Sequence, residues 1–467
     1  SDLTAVAPVC PEDAPRRRFA VRAVEDANRP YNARAGIRDP FGVRLAPVSM
    51  RTWSAAGEPN GPAAALVDEP GRPLVLRARA GECLEIEVEN RLRHGADLPR
   101  LPVGEAPMPR IAGLNLAEQD PDIAAPALRR PAEQVLRPSA TVGLAPQGAW
   151  SNPHAAAAGL FGGNDGNAVL HPPGGQLPTF MEFYLGRWRF DGADPVAEPF
   201  EFGPLGLLAF GDALHHATHG LTGALVVLPA DAEPESWTGV QTRVRQGGRS
   251  WREFVLIFRD GLNLHAPYGR DQFRPIPDCP VCDDTYDWGE RAVNFGTEPL
   301  WARLGLRVPP RSAADLAREH WPPLNQLALP PDLLLNGPDP ATPTLRATAG
   351  EDVRVHVLQP SGRARQRAFT VLGHGYPAPH DRTDDDWPGY RAPNAALVAP
   401  GRAFTARLGP ARPGSWLYRD GPTMMLSSGV WGHLDVGSVS AGRTPPPAKP
   451  LGTGAEATPH PATSTKP

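Results

Sequence analysis

Lysine is almost missing from this chain. Its two copies, Lys449 and Lys466, lie near the end of the sequence, so the body of the protein offers neither a Schiff-base amine nor the phosphate-binding lysine of a P-loop. Long hydrophobic runs are missing as well. No apolar stretch approaches the roughly 20 residues that cross a bilayer as a helix, and no membrane span is expected. Charged residues make up 21% of the chain and the formal net charge is −4, a balance that supplies no basic surface for nucleic acid. There is no G-x-S-x-G elbow, no H-E-x-x-H helix and no G-x-G-x-x-G between a strand and a helix, which removes the commonest signatures of hydrolases, zinc proteases and dinucleotide enzymes. The acidic groups Asp283-Asp284 and Asp384-Asp385-Asp386 sit in loop-like sequence, where carboxylates are ordinarily solvated. No enzyme reaction follows from the residues themselves.

Cysteine is scarce: Cys10, Cys83, Cys279 and Cys282. An even number suits an oxidising compartment, and a start at Ser1 without a leader suits a processed secretory chain, so a periplasmic or secreted location is expected. Cys279-Pro-Val-Cys282 has the spacing of a zinc pair, a redox disulfide or a staple. Zinc would need two further ligands, and a redox motif would need a helix start. Prolines at 275, 277 and 280 indicate a loop instead, and the expectation is a disulfide that pins it.

What the chain has in quantity is punctuation. With 58 prolines and 48 glycines in 467 residues, short apolar runs are broken by turns throughout, which points to an all-β protein. In 83–90, Leu84, Ile86 and Val88 alternate with Glu85, Glu87 and Glu89, a period-two strand whose glutamates are expected to face water. The stretch 343–357 repeats the order strand, Ala-Gly-Glu turn, strand, with Val353, Val355 and Val357 inward. Two closing hairpins match as well. Phe210-Gly-Asp-Ala-Leu runs into His219-Gly-Leu-Thr-Gly-Ala-Leu-Val-Val, and Trp416-Leu-Tyr-Arg-Asp-Gly leads to Gly429-Val-Trp-Gly-His-Leu-Asp-Val. This is an internal repeat at domain scale. Residues 1–40 form a segment of unclear register; 41–235 a first sandwich with a long insertion at about 94–199; and 236–340 an irregular inter-domain region with a helix candidate at 312–320. A second sandwich follows at 341–442, then a proline-rich tail at 443–467.

In order and character these pieces resemble bacterial multicopper oxidase-like proteins built of cupredoxin domains, over about residues 70–440. The segment Asn164 to Gly174, the run Val255-Leu-Ile-Phe-Arg-Asp-Gly and the strand Ala368-Phe-Thr-Val-Leu-Gly-His-Gly support the same likeness. The resemblance implies two Greek-key β-sandwiches and, at the loops, histidine and cysteine copper ligands. Those places hold other residues here: Gly211 and Ala213 in the first hairpin, Arg419 and Gly421 in the second, and Arg367, Thr370 and Leu372 in the facing strand, where only His374 remains. No cysteine lies beyond 282, and a blue-copper centre needs a thiolate between imidazoles. The Met424-Met425 pair, without such partners, reads as packing.

Two functional readings stand side by side. One is a copper-free exported protein, without a cofactor, whose fold outlives its site and which binds an unknown protein or small-molecule partner. The other is a divergent oxidoreductase with copper or another metal held by His154, His171, His215, His216, His219 or His374, since neutral imidazole is the commonest ligand. Convergence of several ring nitrogens on one point would separate them.

Overall fold

The computed structural model describes residues 10–27, 29–92, 142–147, 150–151, 179–192, 194–209, 216–262, 264–268, 272–276, 291–306, 334–335, 337–362, 367–376, 396–421 and 428–437. Almost all regular structure among them is β, arranged as two β-sandwiches. The helix candidate at 312–320, Cys279 and Cys282, Met424 and Met425, and the tail at 443–467 lie outside the described residues.

In the first sandwich one sheet centres on Val43–Trp53, Arg16–Glu25, Cys83–Asn90 and Thr179–Tyr184, in that order. The other runs Leu74–Arg79, Thr222–Leu228, Gly203–Ala209, Leu144–Pro146. Phe19, Leu84, Ile86 and Phe183 from the first sheet meet Leu76, Leu207 and Leu225 from the second in a single core. In the second sandwich, Gln241–Gln246, Arg249–Arg259, Asp352–Gln359 and Arg402–Pro410 face Leu345–Thr348, Trp431–Gly437, Gly414–Asp420, Arg367–Val371 and Ala396–Val398. Phe254, Val355, Phe369, Phe404, Tyr418 and Leu434 are among the side chains that fill its core.

The duplication extends to the pairing. Arg16–Glu25 lies parallel to Cys83–Asn90, as Arg249–Arg259 lies parallel to Asp352–Gln359. Leu74–Arg79 lies parallel to Thr222–Leu228, as Leu345–Thr348 lies parallel to Trp431–Gly437. In each copy the Ala-Gly-Glu turn carries the chain from one sheet to the other, with Gly81 at φ +85° and Gly350 at φ +80°, a left-handed conformation that glycine adopts without steric cost. The closing glycines correspond too. Gly223 and Gly432 lie where a Cβ would meet Leu74 O at 2.6 Å and the Tyr418 hydroxyl at 2.3 Å.

The expected boundaries need correction at both sandwiches. Arg16–Glu25 is central to the first and Arg249–Arg259 to the second, so divisions at 41 and 341 cut through sheets. Each of these strands pairs with a partner far along the chain, a relation that no local pattern displays. The insertion is also shorter than 94–199, because Leu144–Pro146 and Thr179–Tyr184 complete the first sandwich. Glu85 is buried rather than water-facing; Arg18 Nε donates to it at 2.6 Å and Arg16 Nη1 at 3.2 Å.

The sandwiches pack through outer sheet faces, where Val75, Ala224 and Val226 meet Trp251, Val255 and Ile257. A small sheet bridges them, pairing Ile37–Arg38 with His265–Pro267. Cys10 and Cys83 form a disulfide that ties the start of the described chain to the first sandwich. No helix among the described residues is long and apolar enough to cross a membrane.

Candidate functional site

The end of the second sandwich where Arg249–Arg259, Arg367–Val371 and Gly414–Asp420 come together carries the positions that the resemblance equates with copper ligands. Arg367 is buried there. Its guanidinium forms ion pairs with Asp260 and, at 3.3 Å, with Asp420. Arg291 approaches Asp260 at 3.5 Å from the other side, and the backbone N–H of Ala368 donates to Asp420 Oδ1 at 3.0 Å. Burial pushes the Asp420 carboxyl upward, while Arg367, the Ala368 N–H and Arg291 pull it back. Two buried carboxylates and two buried guanidiniums thus compensate one another, as buried charges must.

Thr370 and Gly421 are engaged as well, while Leu372 turns outward. Thr370 Oγ1 donates to Arg419 O at 3.3 Å, Leu372 is partly exposed, and a Cβ on Gly421 would stand 2.9 Å from that of Ala368. Asp420 pairs with Arg367 rather than with Arg419, because alternation along a strand turns adjacent side chains to opposite faces. Gly211 and Ala213 lie outside the described residues.

Among the described residues, the candidate histidines form no group of three ligating side chains. His154, His171 and His215 lie outside the described residues. His216 and His219 sit on a one-turn helix, His216–His219, both buried. His219 Nδ1 lies 2.9 Å from Asp39 Oδ2, and Arg259 donates to the carbonyls of Ala217 and Thr218 at 3.0 and 2.8 Å. His374 belongs to the second sandwich. Its Nδ1 lies 3.3 Å from Leu372 O, and its Nε2 accepts the Arg412 backbone N–H at 3.2 Å. Burial lowers the affinity of its ring for a proton, the Leu372 carbonyl opposes this, and the Arg412 charge reinforces it.

Sequence reasoning missed a second buried charge network, at the junction of the sandwiches. Arg77 Nε donates to Glu253 Oε1 at 2.8 Å, Trp251 Nε1 donates to Glu253 Oε2 at 3.2 Å, and His356 Nε2 lies 3.2 Å from the same oxygen. Burial alone would raise the Glu253 carboxyl, but His356 and Arg77 outweigh it and hold the group far below its ordinary range. No local signal marks this network, since Arg77, Glu253 and His356 read as alternating strand residues. Near it, Arg72, Gln241, Phe295, Asp339, Thr342 and Arg346 help to line an open cleft of about 380 Å³.

No family model matches the chain, and no curated protein matches it. Among solved structures it is similar to a multicopper oxidase at 13% identity, with a TM-score of 0.43 and 92% of each chain covered. It is also similar to the blue copper oxidase from Nitrosomonas europaea at 13% identity and a TM-score of 0.41, covering 90% of this chain and 86% of that one. The multicopper oxidase mgLAC shows 11% identity and a TM-score of 0.41, over 92% of this chain and 89% of that one.

Proposed function

We propose that this chain is an exported cupredoxin-type protein that acts by binding a partner and lacks both the blue-copper and the trinuclear centre. The observation that carries the reading is Arg367. Where the resemblance calls for an imidazole ligand, a permanent cation is buried between Asp260 and Asp420. Copper does not fit the residues that surround it: Thr370, Leu372, Arg419 and Gly421 bring no soft side-chain donor, and both ring nitrogens of His374 already have backbone partners. The Cys10–Cys83 disulfide suits an oxidising compartment. The open cleft between the sandwiches, lined by Arg72, Gln241, Asp339 and Arg346 among others, offers a concave polar surface for a protein or small-molecule partner. The alternative, a metal-dependent oxidoreductase, draws no support from His219 and His374, which are held separately. Reconstitution of the purified protein with copper tests the reading. The expected result is no intense thiolate-to-copper absorption and no oxygen uptake with laccase-type substrates; an intense blue band with stoichiometric copper would overturn it.

A further inference from the structure

On the outer face of the last sheet, away from the ion cluster, three groups with metal-ligating chemistry converge. One donor atom each from Asp339, His433 and Asp435 lies within 4.8 Å of the other two. We propose that they bind a divalent cation of the zinc class, which fastens the segment entering the second sandwich to that sandwich's final strand.

The sequence builds this constellation from two directions. In Trp431–Gly437, Leu434 and Val436 enter the core, so His433 and Asp435 share the opposite face by strand alternation. Asp339 arrives from the segment that leads into Leu345–Thr348, the strand lying parallel to Trp431–Gly437 with Arg346 opposite Asp435. Backbone pairing therefore fixes how near the three groups come.

Their surroundings orient them. His433 is buried, with Nε2 2.6 Å from the Leu334 carbonyl oxygen. Donation to that carbonyl leaves the lone pair of the neutral ring on Nδ1, and an imidazole anchored through its second nitrogen to a backbone carbonyl is the usual support for a ligating histidine. Arg346 Nη2 donates to Asp339 Oδ2 at 2.6 Å, and the Ser415 hydroxyl donates to Asp435 Oδ1. Each carboxylate is thus steadied at one oxygen and keeps a second for a monodentate bond. One imidazole and two carboxylates form the donor set of an open zinc site, with bonds of about 2.0–2.2 Å and a fourth position for water. Asp339 is exposed and lines the cleft between the sandwiches, which gives an ion and its water a path from solvent.

The test is zinc titration of the untagged full chain by calorimetry, with cobalt as a spectroscopic probe, on the parent protein and on Asp339→Asn and Asp435→Asn. Asp339 is exposed, so its variant keeps the fold. One zinc per chain is expected, with a visible cobalt spectrum, affinity weakened roughly tenfold or more in each variant, and a melting temperature that zinc raises more in the parent than in either variant. Absence of stoichiometric binding would overturn the proposal, as would binding that both variants leave unchanged, because the ion would then lie on other histidines. A site without thiolate gives no blue band, so this outcome and the copper result are read independently.

Discussion

Arg17 holds Glu82 with both arms of its guanidinium: Nε donates to Oε2 and Nη2 to Oε1, each at 2.7 Å, and both side chains are buried. Glu82 also accepts the backbone N–H of Arg79 at 2.9 Å, closing the turn that carries the chain between sheets. The second sandwich repeats the device. Glu351 accepts the Thr348 N–H at 3.0 Å, with Arg252 at 3.3 Å and Arg243 at 2.8 Å. Arg17 lies opposite Leu84 and Arg252 opposite Val353, two residues past the glutamate in both copies, so the two arginines are structurally equivalent. The crossing turn is locked from the neighbouring parallel strand by one charge pair, made twice.

Replacing the glutamates should reveal how differently the two copies depend on that lock. Glu82→Ala leaves a buried guanidinium without its partner, a change that costs about 3–5 kcal/mol when the pair is desolvated. Glu351→Ala should cost less, about 1 kcal/mol, because Arg243 is partly exposed and solvent screens its charge. Urea denaturation midpoints of the two variants and the parent measure the difference. Equal losses would show that burial of Arg17 does not set the cost.

The period-two runs at Leu84–Val88 and Val353–Val357, the Ala-Gly-Glu turns and the closing glycines were legible because each is local: alternation and punctuation act within a few residues. The membership of Arg16–Glu25 and Arg249–Arg259 in the sandwiches was not. Arg17-Arg18-Phe19 and Arg252-Glu253-Phe254 share an Arg-x-Phe core that the structure superposes, with Phe19 beside Ile86 and Phe254 beside Val355. Arginines flank Phe19 closely enough to hide the alternation, and the parallel partner lies far along the chain. The setting of the positions that the resemblance equates with ligands was half visible. Arg367 and Arg419 read as losses of histidine, yet only the fold brings Asp260 and Arg291 to Arg367 and turns Arg419 away. The Cys10–Cys83 disulfide joins cysteines 73 residues apart with nothing local to link them, whereas Cys279-Pro-Val-Cys282, marked by its spacing and its prolines, lies outside the described residues.

Close backbone packing at the last hairpin yields a sharper expectation. A Cβ on Gly432 would stand 2.3 Å from the Tyr418 hydroxyl oxygen, and that hydroxyl donates to Pro343 O at 2.6 Å in a buried setting. Gly432→Ala must therefore displace a ring that has no free space around it, and overpacking of this kind costs about 1–3 kcal/mol. Gly350→Ala makes a useful contrast. Nothing lies within 4 Å of its added Cβ, and only the left-handed φ of +80° resists it, a smaller penalty of about 1 kcal/mol. Thermal melts should rank Gly432→Ala below Gly350→Ala, and the reverse order would refute the packing argument.

Acid should unfold this protein in part through Glu253. Its carboxyl is desolvated, which by itself would raise it, but His356 and Arg77 hold it far below the ordinary value of 4.5. A carboxyl lowered in the folded state binds protons more weakly there than in the unfolded chain. Its contribution to stability is therefore complete above 4.5 and drains away as pH falls through the folded value. Glu351 acts in the same sense: although burial opposes it, the Thr348 N–H, Arg243 and Arg252 lower it. Asp420 runs the other way, since burial raises it from 3.8 and its share is lost as pH rises through the folded value. Among the described residues, Glu89, Glu198, Glu253 and Glu351 are lowered while Asp26 and Asp420 are raised, so stability should be nearly flat from neutral pH to about 5 and decline below 4.5. Glu253→Gln removes one titrating group, so the variant should be less stable at neutral pH and lose less on acidification. Urea midpoints of both proteins across this range provide the check. Parallel curves for parent and variant would show that Glu253 does not carry the acid sensitivity.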